Sequence, residues 1–471
     1  MTRMPECHLP PIGPTKTTAK ASCLLPTGKT TNQTMEKPAN NKKSASPAGG
    51  ASAQFAIEKY DPPPPPDPAT GKLIGLDIHP DTYTAVVLTG TTPGNARQVQ
   101  CRADLSLNQL LEWVGKDFTA HDLFLMEAGA NSFTLAGKLC DLGLRALVLE
   151  SCHVGSHAKK YADNDKMAAA RIAKVFLAGD CPCVWQPDET TRERRELLHL
   201  YQTAVRDNTA ASNAIKGYLN QYTIRLGKRS LKAPATHAWM LRQREWSPLQ
   251  LLLLQTHLAQ LTQAETRRKD LYTHITTDLH SEPRMLQLMQ ILGIGVINAF
   301  ALLAIIGDIH RFATPNKLVA YLGLNPGRLK SGNGKDIKLG IGKHGRGDLR
   351  HLLIQGAHTV LRHSRKTAIG KWGMALFMRK GNRNTAVAAV ARKLAIQAWH
   401  VLMGHPLQSA KDHLKSLRLK LEKSLIILGK QQRAQLNMPA SIHDCVNLLL
   451  DRIGIHHRKD GSGETPPISP A

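Results

Sequence analysis

The sequence predicts an α/β domain near its amino terminus, followed by a long and mainly helical remainder. Two observations support this prediction. Between residues 69 and 185, short apolar runs form a hairpin pattern first and then alternate with helical segments, which is typical of a layered α/β or α+β domain. Beyond residue 186, apolar residues recur in steps of four and three, as in paired helices. With 471 residues, the chain is long enough for two or three domains.

Residues 1–68 precede this domain and have a different composition. They are rich in Thr, Ser, Lys, Ala and Pro, and they end near the proline run 62–66. Because such a segment has few apolar side chains to bury, we predict a disordered leader with a stiff polyproline exit.

The α/β domain, residues 69–185, begins with "KLIGLDIHPDTYTAVVLTG", in which two apolar runs flank a turn and predict a hairpin. A third strand is predicted at "ARQVQCRADL". The remaining predicted elements are a helix near 106–117, the strand "DLFLMEAG", a helix near 132–141, the strand "RALVLES" and a helix over about 166–178.

Residues 186–282 predict two long helices that form a coiled-coil linker. The second helix should begin at "SPLQ", because Ser247 can cap it and Pro248 suits its first turn. The seam pattern fits either an arm that joins two copies of the chain or a helical hairpin within one copy. The seam residues are Leu197, Tyr201, Ala204, Asn208, Ala211, Ile215, Tyr218 and Tyr222, then Leu251, Leu254, Leu258, Leu261, Tyr272 and Ile275.

Residues 283–402 are predicted to form a helical domain punctuated by glycines. Residues 403–471 are predicted to form a basic helical tail with an apolar segment near 441–450.

The composition favours a nucleic-acid partner. The formal net charge is +26, and the excess of Lys and Arg runs through the whole chain, which suits a polyanion. No run of about 18 apolar residues predicts a membrane span, and the amino terminus lacks a secretory signal. Eight scattered cysteines without metal-binding spacing predict free thiols in a reducing cytosol. We therefore expect a cytoplasmic protein without a membrane partner.

Three acidic residues mark the ends of predicted elements. Asp77 follows "LIGL", Glu127 follows "LFLM", and Asp165 opens a predicted helix. Acids at the ends of neighbouring strands repel one another unless a cation lies between them, and Mg²⁺ prefers such oxygen ligands. Strand, strand and helix is also the order in which ribonuclease-H-like nucleases assemble a two-metal site. Alternatively, Asp77 merely ends a strand, and Asp165 is a helix cap.

Glycines mark two further candidate sites for a nucleic-acid backbone. Gly293 and Gly295, in "LGIGVINAF", lie between two apolar helical stretches and resemble a helix-hairpin-helix, a DNA-backbone contact. A plain packing corner between helices fits them equally well. In "GRLKSGNGKDIKLGIGKHGRGDLR", a single serine, Ser331, lies among alternating glycines and cations. The cations predicted to contact phosphate there are Lys330, Lys335, Lys343, Arg346 and Arg350.

Ser331 is a candidate nucleophile, although a flexible basic loop has a similar composition. A serine hydroxyl needs a base, a metal or a strong field to attack phosphate, and no histidine neighbours Ser331 at a telling spacing. Any activation must therefore come from elsewhere in the fold, for example from a metal held by the acids of the first domain.

Several motifs together resemble the insertion-sequence one-ten family of transposases, and specifically its eleven-eleven branch. They are "IGLDIHP", "LMEAG", "NDKMAAARIA", "LGIGVINAFALLAIIGDIHRF", "AYLGLNPG" and "SGNGKDIKLGIGKHGRGDLRHLLIQGA", and they cover residues 70–402 in the family's order. The resemblance implies a resolvase-like, ribonuclease-H-fold domain with a DEDD carboxylate set that uses Mg²⁺. It also implies a coiled-coil linker and a mainly helical domain, with a helix-hairpin-helix, that carries the catalytic serine.

The resemblance also implies the activity and the partners. Family members recombine DNA under the direction of a structured non-coding guide RNA that pairs with donor and target DNA. Dimers assemble into tetramers whose composite sites join the serine of one subunit to the carboxylates of another, and the serine forms a covalent phosphoserine link to DNA. By position, Asp77, Glu127 and Asp165 match the first three acids, and Ser331 matches the nucleophile. The implied location is the bacterial cytoplasm, at the nucleoid during activity.

The sequence departs from the family at the fourth acid, where Ala168 stands in "DKMAAAR". A methyl group cannot bind metal, so one oxygen ligand is missing and Mg²⁺ should be held more weakly. Natural drift is one explanation. A deliberate acid-to-alanine change is another, and we favour it because the surrounding residues keep the pattern.

Two other functions fit part of the sequence. A structure-specific, metal-dependent nuclease would use the acids and water alone. A non-catalytic nucleic-acid-binding protein would use the acids as caps and leave the serine idle.

Overall fold

The computed structural model describes residues 64–157, 164–179, 182–329, 337–342, 345–405, 407 and 410–455. The predicted leader therefore lies outside the described residues except for 64–68. The elements of the first domain are β1 (Leu73–Ile78), β2 (Tyr83–Thr89), β3 (Arg97–Leu105), α1 (Leu107–Asp117), β4 (Leu123–Glu127), α2 (Ser132–Asp141), β5 (Arg145–Leu149), α3 (Ser151–Ser156) and α4 (Asp165–Leu177). Every strand and helix predicted for this domain is present, and α3 is an addition.

The first domain is built on one mixed sheet of five strands in the order β3-β2-β1-β4-β5. β1 pairs antiparallel with β2, which pairs antiparallel with β3, while β1, β4 and β5 are parallel. Because side chains alternate along a strand, the sheet buries a core on each face. Residues of α1 and α2 complete one core, and residues of α3 and α4 complete the other.

Two long helices, α5 (Glu189–Gln221) and α7 (Pro248–Ser281), follow with the short α6 (Pro234–Leu241) between them. They pair antiparallel within one chain. Arg194 on α5 reaches Asp278 at 3.0 Å, and the Tyr218 hydroxyl donates to the Gln250 carbonyl at 2.9 Å, near the opposite end. The Ser247 hydroxyl caps α7 as the sequence predicts, in a capping box with Gln250. Of the two arrangements that the seam pattern allows, the structure therefore shows the helical hairpin within one copy of the chain.

The rest of the described chain is mainly helical around one large core. A two-stranded antiparallel sheet, which the sequence analysis does not predict, lies within this helical region. The elements are α8 (Pro283–Met289), α9 (Val296–Ile306), α10 (Pro315–Tyr321), β6 (Pro326–Leu329), β7 (Ile337–Ile341), α11 (Gly347–His363), α12 (Ala368–Lys380), α13 (Arg383–Leu402), α14 (Ala410–Gln435) and α15 (Ile442–Asp451). The predicted apolar segment near 441–450 corresponds to α15.

Partly buried arginine contacts hold the helical hairpin to this last domain. The Arg195 guanidinium donates to the carbonyls of Ala304 and Ile305, at 2.8 and 3.1 Å, where α9 ends. The guanidinium groups of Arg195 and Arg311 both lie over the ring of Trp185, 5.4 and 4.6 Å from its centroid. Cation–π contacts and a capped helix end thus anchor α5 at its base.

Two further sequence predictions concern cysteines and membranes. Five cysteines of the described chain, Cys101, Cys140, Cys152, Cys183 and Cys445, are free thiols, as expected. Across the described residues, no helix combines the length and the apolar character that a membrane crossing requires.

Candidate metal centre and nucleic-acid interface

Two of the predicted acids lie side by side at the carboxyl ends of two neighbouring strands. Asp77 is next to last in β1, and Glu127 is the last residue of β4. The two strands are parallel with Leu76 opposite Met126, so the acid that follows each of these residues is directed to the same edge. The strand pattern alone predicts this neighbourhood.

The third acid arrives on α4, which crosses β1. Asn164, rather than Asp165, is the N-cap, because its side chain accepts from the Met167 amide. Asp165 is the first residue of the helix and its carboxylate is therefore not used as the cap. The helix approaches β1 closely at Gly75, where a Cβ atom would collide with the backbone carbonyl of Ala169. The absent side chain of Gly75 is what allows Asp165 to come near Asp77.

A histidine completes the group, and sequence reasoning missed it. Nε2 of His79 lies 3.5 Å from Oδ2 of Asp77 and 3.5 Å from Oδ1 of Asp165. One ligand atom from each of these three residues lies within 4.8 Å of the other two. The sequence carries a signal for it, because His79 stands two residues after Asp77, at the start of the turn between the first two strands. These three side chains can hold a divalent cation.

Burial and mutual repulsion raise the pKa values of two of the acids. Partial burial, with a smaller contribution from Asp165, raises the pKa of Asp77, although His79 and Arg171 oppose the rise. Burial also raises the pKa of Glu127, and the charges of Asp77 and Glu150 add to it, while Arg171 opposes it. Acids that repel one another in a half-buried place are the electrostatic signature of a cation site.

Arg171 is a second residue that sequence reasoning missed. It lies on α4 and its charge lowers the pKa of both Asp77 and Glu127, so its guanidinium lies near the acids. Ala168 occupies a half-buried position one helical turn beyond Asp165, where the family pattern has an acid. This helix therefore brings one acid and one cation near the site.

The Gly293–Gly295 turn is well defined and its two glycines differ. Gly293 has φ +82°, and a Cβ there would lie 2.6 Å from the Gly356 carbonyl oxygen, so this position needs glycine for conformation and for space. Gly295 is the N-cap of α9, in extended backbone, with nothing within 4 Å of a built Cβ. Gly293 therefore has a structural role, whereas Gly295 has room for a ligand. A phosphate contact at either stays a prediction.

Side chains from distant segments hold this turn. The Asn298 amide donates to the carbonyls of Gly293 and Leu352, at 3.3 and 3.2 Å. Nζ of Lys420, on α14, donates to the carbonyls of Met289 and Ile291, at 2.7 and 2.8 Å. Burial lowers the pKa of Lys420 to about 7.

The predicted catalytic serine lies outside the described residues, as do Lys330, Lys335 and Lys343. In sequence, Ser331 falls between β6 and β7. Arg346 and Arg350 are described, and both make internal contacts. Arg346 binds Asp348 through two nitrogens, at 3.2 and 2.8 Å, and Arg350 donates to the Leu322 carbonyl at 3.2 Å. Their predicted role as phosphate ligands is untested.

Comparison with known proteins gives the family. The model for a transposase domain of the DEDD type, DEDD_Tnp_IS110, matches residues 74–224, and the model described as "Transposase IS116/IS110/IS902 family" matches residues 285–370. The chain is 28% identical over 277 residues to the transposase for insertion sequence element IS1111A of Coxiella burnetii, covering 55% of this chain and 72% of that one. It is 28% identical over 288 residues to a probable family 20 transposase of Pseudomonas aeruginosa, covering 59% and 83%.

The family models and the relatives thus identify an enzyme of the transposase class, and its first domain gathers acids at the carboxyl ends of parallel strands. The chain belongs to the IS110 family of transposases, whose two domain models it matches in order. Its substrate is therefore DNA.

Proposed function

We propose that this transposase is an RNA-guided DNA recombinase that cuts and exchanges strands through a phosphoserine intermediate. The observation that carries the proposal is the meeting of Asp77 and Asp165, with Glu127 beside Asp77, at one edge of the sheet. Family membership supports the remaining parts of the proposal, namely the serine, the guide RNA and the assembly.

The first domain is proposed to have the ribonuclease-H-like, resolvase-like fold. Three antiparallel strands followed by two parallel ones, in the order β3-β2-β1-β4-β5 with helices on both faces, support it. Asp77, Glu127 and Asp165 would hold Mg²⁺, and their oxygen atoms suit that ion. When bound, the ion would neutralise charge on the scissile phosphate. The residues fit it, because partial burial and neighbouring acids raise the pKa values of Asp77 and Glu127, and a cation would offset both effects.

Ser331 is proposed as the nucleophile. Its hydroxyl loses a proton, its oxygen bonds to the scissile phosphorus, and the bond from phosphorus to one deoxyribose oxygen breaks. The cut strand leaves with that oxygen as a hydroxyl. In the second step, the hydroxyl of another strand attacks the phosphoserine, and the serine oxygen leaves and regains a proton. The energy of the phosphodiester is thus conserved in the exchange.

A guide RNA, donor DNA and target DNA are the proposed partners, in a homodimer that assembles into a homotetramer. The net charge of +26 supports binding of several nucleic-acid strands. Three leucines of α7 support contact between copies, because Leu249, Leu252 and Leu253 are 64, 58 and 43% exposed. They lie on one side of the helix, at the end of the hairpin where α6 connects it.

The test is a denaturing gel of labelled DNA incubated with cognate RNA, Mg²⁺ and the Ala168→Asp protein. A protein–DNA adduct that disappears in the additional variant Ser331→Ala supports the recombinase. Cut strands with free ends and no adduct would favour the metal-dependent nuclease. Intact DNA under every divalent metal would leave only nucleic-acid binding, whose strength should fall steeply with salt.

A further inference from the structure

The geometry points to His79 as a nitrogen ligand of the divalent cation, beside Asp77 and Asp165. This inference rests on the proposed metal-dependent function and deepens it. It assigns one residue outside the expected acidic set, and it predicts a site with mixed nitrogen and oxygen ligands rather than an all-carboxylate site.

The distances fit one shared ion. Ligands about 2.1 Å from a common ion are about 3.0 Å apart at a right angle and about 3.4 Å apart at a tetrahedral angle. Nε2 of His79 is 3.5 Å from the nearest carboxylate oxygen of both Asp77 and Asp165. An ion between them therefore requires shifts of only a few tenths of an ångström for these two pairs.

The same distances show that no hydrogen bond commits the imidazole to one acid. At 3.5 Å, neither carboxylate is within the usual range of an N–H···O hydrogen bond. Nε2 is also equally far from both oxygens, so the imidazole is not committed to either acid. A histidine that served to hold one acid would instead approach that acid.

Two hydrogen bonds hold the backbone of His79 next to the site. Its amide donates to the Thr82 carbonyl at 3.0 Å, which closes the turn after β1. Its carbonyl accepts from the side-chain amide of Asn131, at 3.1 Å, where α2 begins. Two elements of the first domain thus determine where His79 stands relative to Asp77.

An imidazole changes which metal the site prefers. Carboxylates alone suit Mg²⁺, whereas a nitrogen ligand favours later first-row ions. We expect Mn²⁺ to bind more tightly than Mg²⁺, and His79 to account for a large part of that preference.

The test is Mn²⁺ binding by the full-length protein, followed by electron paramagnetic resonance with detection of nitrogen coupling. Mn²⁺ held by His79 shows coupling to an imidazole nitrogen, and His79→Ala and His79→Asn remove it and weaken Mn²⁺ binding by about 10-fold or more. His121→Ala is the matched control, because His121 is exposed in the same domain. In the double variant His79→Ala with Ala168→Asp, binding should recover without the nitrogen signal.

Two results would overturn the inference. The first leaves the proposed metal site intact, and the second removes it as well. If Mn²⁺ binds and Asp77→Asn abolishes binding, while His79→Ala leaves affinity and spectrum unchanged, then His79 is not a ligand and the carboxylate site stands. If no Mn²⁺ binds at a position sensitive to Asp77→Asn, both the inference and the proposed metal site fail.

Discussion

Gly75 offers the sharpest test of how the metal centre is assembled, because replacing it with alanine adds a single methyl group where α4 crosses β1. The new Cβ would lie 2.9 Å from the Ala169 carbonyl carbon, closer still to its oxygen, and 3.3 Å from the Ala173 Cβ. Ordinary contacts are 3.4–4 Å, so α4 must retreat by on the order of 1 Å. Asp165 moves with it, because it is the first residue of that helix.

Two magnitudes follow from that displacement. Overpacking by one methyl group costs roughly 1–3 kcal/mol of the free energy of unfolding, which lowers the Tm by about 2–10 °C in a domain of this size. A shift of about 1 Å in a catalytic carboxylate can cost about 100-fold in rate. We therefore expect Gly75→Ala to remain folded while its rate of DNA cleavage falls by about 100-fold.

Thermal unfolding by circular dichroism measures the first effect, and metal-dependent cleavage of labelled DNA, well below the Tm, measures the second. Gly115→Ala is the matched control. Gly115 is an exposed glycine of α1 with nothing within 4 Å of a built Cβ, so alanine there should stabilise the helix by about 0.5–1 kcal/mol. The reasoning is refuted if Gly75→Ala melts within about 1 °C of the parent and cleaves DNA at the parent rate.

Three further predictions follow from other positions. Ala168→Asp adds an oxygen ligand and should raise strand-exchange activity about 10-fold at limiting Mg²⁺, measured by recombinant product. Equal activity of both forms throughout a Mg²⁺ titration, the limiting range included, would contradict it. Gly293→Ala should lower the free energy of unfolding in urea by about 2–4 kcal/mol, since it combines positive φ with a clash on Gly356. Gly295→Ala should lower stability by only about 0.5–1 kcal/mol, the cost of alanine at an N-cap, so that a larger loss of DNA affinity reports on the turn itself. Equal destabilisation by both variants would refute the distinction. Because the pKa of Lys420 falls from 10.5 to about 7 on folding, the unfolded chain binds more protons between these values, and stability should rise with pH across that window. From pH 7.5 to 9.5 this contributes about 1–2.5 kcal/mol, which Lys420→Met should abolish; parallel pH profiles in urea unfolding would show that Lys420 does not carry the effect.

Local patterns predicted the elements of the first domain well, because each strand and helix there has its own periodicity and its own boundary signal. Ser247 shows this for the linker, since a cap and a following proline mark the start of α7 without any tertiary contact. The same pattern could not decide whether the helices pair within one chain or between copies. Seam residues of identical spacing suit both arrangements. Contacts between the two helices, such as that of Arg194 with Asp278, show that they pair within one chain.

The sequence by itself determined the order of the elements, the basic character, and which acids end the strands. That Asp77 and Glu127 lie near each other follows from the sequence as soon as β1 and β4 are taken to be neighbouring strands. Only the tertiary structure decided that His79 and Arg171 lie near those acids, that Gly75 is the contact point for α4, and that Lys420 holds a turn far away in the chain. The reason is physical: periodicity records which side of an element is buried, whereas the meeting of side chains from separate elements depends on how those elements pack.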